Sequence, residues 1–486
     1  SILPVMCSNL KGRIIRNGMI KMNDRYFYEN VVNSLRLGIV PCRYVEALTV
    51  GRAEIIKNIK SGISDIKCGR ASSMIFEGDY GAGKSHIINF AKYIARENNF
   101  VISTISADQT LLFNKMDRVM NAIIEAMEFP DFGSFNGFEQ MLNRLLNSWY
   151  RNSILDWCED ICFASEAEIK FKKGVKAYDI MMKGMNYEAA EDVMRWLQGE
   201  KVDLKRIKSL IDNFLNENKK TASFRIGQNE VIYLIQSIGQ MLKAIGYSGW
   251  MIMVDECENF FELSPPNPKS KHKIFSNVDN MIRGFRNIFS IFTFTPKQLD
   301  RIYSYFAAQN SYDSELTIPN FLLPHERHKK IYRLNKLNDD NYIDLLKKIV
   351  DAYEIAYPEK KLSMNYGKYL ENKIRTMASF DKERPRAVIR MIIEYLDYFL
   401  TNEIDIDMSL VPVNKKNYTE ARSVGKSIQL PYVRGEKIGH KKYGKCEVLE
   451  VKKLPNDSVN IKVKVIRTGE IKVFDQKFAE FEKIKK

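Results

Sequence analysis

The sequence predicts an α/β protein: a three-layer parallel sheet broken by a large helical insert, then a helical lid and a small all-β module. Three observations predict it. Residues 78–85 read Gly78-Asp79-Tyr80-Gly81-Ala82-Gly83-Lys84-Ser85, a glycine loop between an apolar run and a helical pattern. Trp250-Met251-Ile252-Met253-Val254 is a second apolar run, and it ends in Asp255-Glu256. Further apolar runs of strand length alternate with helical periodicity, which implies parallel strands joined by crossover helices.

The glycine loop fits G-x-x-x-x-G-K-[ST], in which backbone N–H groups and a helix N-terminus face an anion. The strand before it is 73–77 and the helix after it is 86–94. Gly78 to Ser85, with His86, are therefore candidate nucleotide-binding residues. Lys84 is placed to reach the β and γ phosphates of ATP, and Ser85 to hold Mg²⁺. A run apolar on both faces suits a central parallel strand. An acid at its C-terminal end lies at the crevice where open α/β sheets bind ligands. There Asp255 would hold the metal and Glu256 would polarise the attacking water. A strand followed by an acidic helix cap, with Glu258 as a further exposed acid, would read the same; the glycine loop tips the balance toward catalysis.

The remaining elements follow in chain order. Residues 26–40 read as a helix, and another begins near Ile55, just after Gly51-Arg52. Residues 100–106 form a second strand and 111–127 an amphipathic helix. From about 130 to 247 only helical patterns occur, the insert. Pro265-Pro266-Asn267-Pro268 opens a basic loop to Lys273, free to touch DNA or a partner, or simply solvated. The fourth strand, from Ile288, ends at Thr295 before Pro296. Thr295, with Thr293 as the alternative, could sense a γ-phosphate or merely cap the strand. The fifth strand is 330–334. Residues 337–402 hold three helices. The third starts at Pro385, a good first helical residue. Arg384, Arg386 and Arg390 crowd its N-terminus, where the macrodipole disfavours cations. A nearby anion or plain surface exposure would account for them.

The boundaries are thus 1–335 for the ATPase core, 336–402 for the lid, 403–430 for a linker and 431–486 for a small β-barrel. The last segment alternates as strands do and carries fifteen Lys/Arg against eight Asp/Glu. The whole chain of 486 residues has a net charge of +15. That favours an acidic partner such as nucleic acid, although charge says nothing about fold. The seven cysteines are scattered, which fits free thiols in a reducing cytoplasm. Cys158 and Cys162, four apart, read as core packing on one helix. No run reaches membrane-spanning length.

The motifs together resemble the P-loop ATPases of BREX-type anti-phage defence loci, BrxD-like proteins of the origin-recognition branch of AAA+ ATPases. The resemblance rests on Leu35-Arg36-Leu37-Gly38, on 44–52, on the glycine loop, on Trp196-Leu197-Gln198-Gly199-Glu200 and on Asp255-Glu256. It covers about 30–400. The tail, from Gly435 to Lys445, resembles the SH3/Tudor-like module that ends UvrD-type helicases. The resemblance implies Mg²⁺-dependent ATP hydrolysis coupled to DNA, beside a helicase, nuclease or methyltransferase partner. It also implies a possible homo-oligomer with an arginine finger in trans, for which Arg327 is chosen over Arg301 and Arg333. In such folds Gly51 and Arg52 lie against the adenine and ribose, and Arg386 of the lid senses the γ-phosphate. The other reading is an ATP-gated switch that docks a protein partner and leaves DNA alone.

Overall fold

The computed structural model describes residues 22–108, 111, 113–134, 137–162, 164–200, 202–215, 231–358, 366–377, 385–402, 437–440, 444–453, 459–466, 471–475 and 481–483. The chain divides into two compact units, Ser1–Met408 and Ser409–Lys486.

In the first unit seven strands form one sheet: β1 (Ser72–Glu77), β2 (Phe100–Ser106), β3 (Met127–Phe129), β4 (Gly133–Ser134), β5 (Gly249–Asp255), β6 (Ile288–Phe294) and β7 (Ile331–Arg333). Their order is β4-β3-β2-β5-β6-β1-β7. Strands β2, β5, β6, β1 and β7 run parallel, while β3 and β4 are antiparallel additions at one edge. Side chains of a strand alternate between faces, and here the faces belong to different cores. Trp250, Ile252 and Val254 point into one core, built with the insert helices. Met251 and Met253 point into the other, under helices Ala53–Lys67 and Lys84–Glu97. This makes three layers. Trp250, fully buried, donates its indole N–H to Ser103 Oγ at 3.0 Å, so its polar edge is satisfied.

The insert departs from the helix-only expectation at its start. Met127–Phe129 and Gly133–Ser134 pair as a short hairpin on the sheet edge. Their strand pattern is too short to separate from a helix by periodicity. Helix Arg151–Glu159 ends before Cys162, so the two cysteines do not share a helix. Cys158 is buried, and burial pushes its thiol up to about 12. Cys162 is exposed.

Three lid helices, Asp339–Ala356, Tyr366–Thr376 and Pro385–Asn402, form a third core. Helix Met22–Arg36, distant in sequence, contributes Val31, Val32 and Leu35 to that core. No described helix is long and apolar enough to cross a membrane.

The second unit is an antiparallel sheet of five strands, β8 (Lys437–His440), β9 (Gly444–Lys453), β10 (Val459–Val465), β11 (Ile471–Asp475) and β12 (Phe481–Lys483), in the order β11-β10-β9-β8-β12. The expected closure into a barrel is not seen among the described residues: β11 and β12 stand at opposite ends of the ladder. The expected linker, 403–430, lies outside the described residues.

Candidate nucleotide-binding site

Strand β1 delivers the chain into the glycine loop, and helix Lys84–Glu97 leaves it. Gly81 and Gly83 have φ of 87° and 99°, left-handed values that favour glycine. Gly78 is needed for close approach: a Cβ there would lie 3.1 Å from Ala82 Cβ and from Leu334 Cβ. Asp79 and Tyr80 are exposed at the loop tip. The loop is tied to its neighbours, Gly78 N–H to Phe294 O at 3.0 Å and Ala82 N–H to Asp79 O at 3.0 Å.

Lys84 is buried, at 8% exposure. Its ammonium donates to Gly78 O at 2.9 Å and lies 5.0 Å over the Tyr80 ring. It also faces Glu258 Oε1 at 3.8 Å. Glu258, an exposed acid only in the helix-cap reading of this segment, is 3% exposed, and its Oε2 has no hydrogen-bond partner among the described residues. Burial pushes the Glu258 carboxyl up, and Lys84 works against that shift. Just before Glu258, Cys257 N–H bonds to Thr293 O at 3.1 Å and ties the chain to the neighbouring strand β6.

Ser85 and Asp255 are 170 residues apart, and the sheet brings them together. Ser85 Oγ donates to Asp255 Oδ2 at 3.1 Å. Thr293 Oγ1 donates to Asp255 Oδ1 at 2.5 Å and accepts from Glu256 N–H at 3.1 Å. Thr293, in β6 beside β5, is thus the polar residue at the acids. The favoured Thr295 is not: it is buried at the start of helix Pro296–Asn310 and its side chain caps nothing. Side-chain alternation points residues 293 and 295 to the same side, so only the register against β5 separates them.

Glu256 adopts φ of 57°, a left-handed conformation that costs a non-glycine residue of order 1 kcal/mol. Ser106 Oγ, at the end of β2, donates to Glu256 Oε2 at 3.0 Å. Ser106 was missed in the sequence; its position one strand over from the acid was the available signal.

Arg52 is buried and braces the loop from behind, donating to Ala82 O at 3.0 Å and to Asn335 O. Gly51, with φ of 64°, packs on the lid: a Cβ would meet Asn341 Oδ1 at 2.6 Å. Asn341 belongs to the capping box that starts helix Asp339–Ala356. His86 is hydrogen-bonded to Thr49 Oγ1 at 2.9 Å, and burial lowers it to about 4. It is neutral at physiological pH. Arg327 is engaged within its own chain, 3.0 Å from Asp300 and 3.6 Å from Glu77. Arg386 is exposed at the start of helix Pro385–Asn402, its Cβ 4.0 Å from where a Gly38 Cβ would stand.

These residues fit a nucleotide and its metal. The loop has the backbone geometry of an anion cradle, and Ser85 with Asp255 is a hard-oxygen pair of the kind Mg²⁺ takes beside phosphates.

A family model described as the BREX system ATP-binding protein BrxC/D matches residues 25–156 and 159–411. The chain belongs to this family. Its members are ATP-binding proteins of the BREX system, so the cradle around Lys84 belongs to a nucleotide-using protein. No curated protein matches the chain. The BrxC/D match stops before the β8–β12 sheet and leaves that unit unassigned.

The more distinctive elements of this BrxC/D chain lie away from the phosphate loop and have structural work to do. Arg36 grips Asp397 of the third lid helix with two hydrogen bonds, 2.8 and 2.6 Å. Gly38 has φ of 72°, a left-handed value that favours glycine, and lies beside Arg390 of the third lid helix. In the insert, Trp196 is buried beside Gly174, where a Cβ would come within 2.5 Å of the indole. Gly199 ends that helix with φ of 79°, as helix C-termini favour.

Proposed function

We propose that the protein binds and hydrolyses Mg²⁺-ATP and couples the nucleotide state to nucleic acid within the defence system. The carrying observation is the convergence of Ser85, Asp255, Thr293 and Glu256 beside the glycine loop. A protein that only held a nucleotide would need the loop and its lysine. It would not need a second carboxylate held apart from the metal-binding acid.

In this reading Lys84 leaves Gly78 O for the phosphate oxygens. Ser85 and Asp255 would hold Mg²⁺, which neutralises phosphate charge. Thr293 fixes the Asp255 carboxylate, and Glu256 accepts the proton of the attacking water. Arg386 and Arg390, on the lid, reach the γ-phosphate when the lid closes. An arginine from a second copy completes the site in an oligomer; Arg327 can serve only if it gives up Glu77 and Asp300. The net charge of +15 supports an acidic partner. The tail, residues 431–486 with the β8–β12 sheet, would add to it with seven excess positive charges. A helicase, nuclease or methyltransferase would act on the DNA so engaged, in the cytoplasm.

The test is ATP hydrolysis by the purified full chain with and without DNA, beside Glu256→Gln. DNA stimulation that disappears in Glu256→Gln supports the proposal. A slow rate indifferent to DNA supports instead an ATP-gated switch that docks a protein.

A further inference from the structure

Beyond the acidic strand lies a second cavity, of about 640 Å³, that the nucleotide site does not use. Its walls include Phe261, Pro266, Lys271, Arg301, Ser304 and Tyr305. The sequence places Lys271 on a basic loop, free to touch DNA or a partner or simply solvated. In the structure helix Pro268–Arg283 begins at Pro268, capped by Asn267, and Lys271 is buried at 8% exposure.

The Lys271 ammonium sits 4.4 Å over the Phe261 ring and 6.0 Å from the centre of the Tyr305 ring. It donates to Phe261 O at 2.9 Å and to Ser264 Oγ. Arg301 lies over the same Phe261 ring at 4.8 Å and pairs with Glu262 at 2.5 Å. Burial, then the nearby Arg301, makes the Lys271 ammonium easier to deprotonate than usual. Two cations therefore crowd one aromatic ring, and the Glu262 carboxylate pairs with one of them, Arg301. The site has surplus positive charge next to aromatic walls. Gln298 Nε2 donates to Glu262 at 2.6 Å, so Glu262 keeps a partner if Arg301 turns to a ligand. A guanidinium has donors enough for both.

We propose that this cavity seats one nucleotide unit of single-stranded nucleic acid, its phosphate at Arg301 and Lys271 and its base against Tyr305. The inference rests on the reading above that ATP use is coupled to nucleic acid. The volume lies in the range of ligand pockets of nucleotide size. Aromatic stacking with a nearby cation is how single strands are held without sequence preference. A duplex does not offer an unstacked base. The seat also touches the ATP site through one short element. Phe261 and Glu262 lie on helix Asn259–Glu262, directly after Glu258, which faces Lys84. A strand pulling on Arg301 and Glu262 acts one helical turn from that pair.

The test uses the full chain, a labelled oligo-dT strand and two charge reversals on helix Pro296–Asn310. Arg301→Glu alters the cavity wall. Lys297→Glu makes the same charge change at an exposed residue outside it. Arg301→Glu is expected to weaken oligo-dT binding about tenfold or more, and Lys297→Glu about twofold or less. All three proteins keep the same far-UV circular dichroism and a single cooperative melting transition, which shows that they are folded. Equal losses in both variants, or none in either, overturn the seat and leave the coupling to nucleic acid standing. No oligo-dT binding by the unaltered protein overturns the coupling, and the seat with it. Polyphosphate that displaces oligo-dT as well as unlabelled oligo-dT does overturns the role given to the base.

Discussion

Lys84 and Glu258 face each other across 3.8 Å in the heart of the site, both nearly inaccessible to water. On the proposed reading, the cation that would meet the phosphates thus has a carboxyl neighbour before any nucleotide arrives. ATP must compete with that carboxylate for the ammonium. It must also bring phosphates close to a buried acid that has one oxygen without a hydrogen bond.

Glu258→Gln keeps the shape and removes the competing charge. It is expected to raise ATP affinity about threefold to tenfold, a difference of roughly 1 kcal/mol. Titration with a fluorescent ATP analogue reads this directly. Unchanged or weaker binding would mean that Glu258 helps to hold the nucleotide instead of opposing it.

The roles proposed for Glu256 and Lys84 separate turnover from binding. Glu256→Gln is expected to bind Mg²⁺-ATP about as well as the unaltered protein and to lose turnover by about 100-fold or more. Lys84→Ala is expected to lose binding itself. Single-turnover hydrolysis alongside nucleotide titration distinguishes the two; normal turnover in Glu256→Gln removes it as the base.

Thr293 and Thr295 make opposite predictions from nearly the same sequence position. Thr293→Val removes a hydroxyl that bonds both Asp255 and the Glu256 N–H. It is expected to lower kcat by about tenfold or more, since a donor to a charged group is lost. Thr295→Val is expected to stay within about twofold, because its hydroxyl caps nothing. Equal effects would mean that the choice of Thr293 is mistaken.

Arg36 and Asp397 tie the N-terminal helix to the lid through a two-pronged pair whose side chains are about one-third exposed. Tyr353 Oη also donates to Asp397 at 2.5 Å. A double-mutant cycle, Arg36→Ala with Asp397→Ala, is expected to show a coupling of about 1 kcal/mol, discounted for that exposure. Urea unfolding measures it. A coupling near zero would leave helix Met22–Arg36 held to the lid mainly by apolar packing, that of Val31, Val32 and Leu35 with Phe27 and Tyr28 beside them.

The amino-acid sequence by itself determined the α/β class, the glycine loop, the acidic end of β5, the parallel core strands and the helices within 337–402, the third of which starts at Pro385. These are local signals. A loop that needs glycine at 81 and 83, a strand apolar on both faces and a proline at a first helical turn each declare themselves within a few residues. Tertiary structure decided what depends on register and burial. It set Thr293 instead of Thr295 beside Asp255, and Ser106 beside Glu256 from another strand. It turned Glu258 from an apparent surface acid into the buried neighbour of Lys84. It placed Lys271 in a cavity wall, and it engaged Arg327 with Glu77 and Asp300. It also gave the N-terminal helix to the lid. Each of these pairs residues far apart in the chain, and the free energy of a buried charge or a cross-strand hydrogen bond depends on the partner that packing supplies. A sequence lists the charges; only the fold says which of them lose their water and to whom they turn.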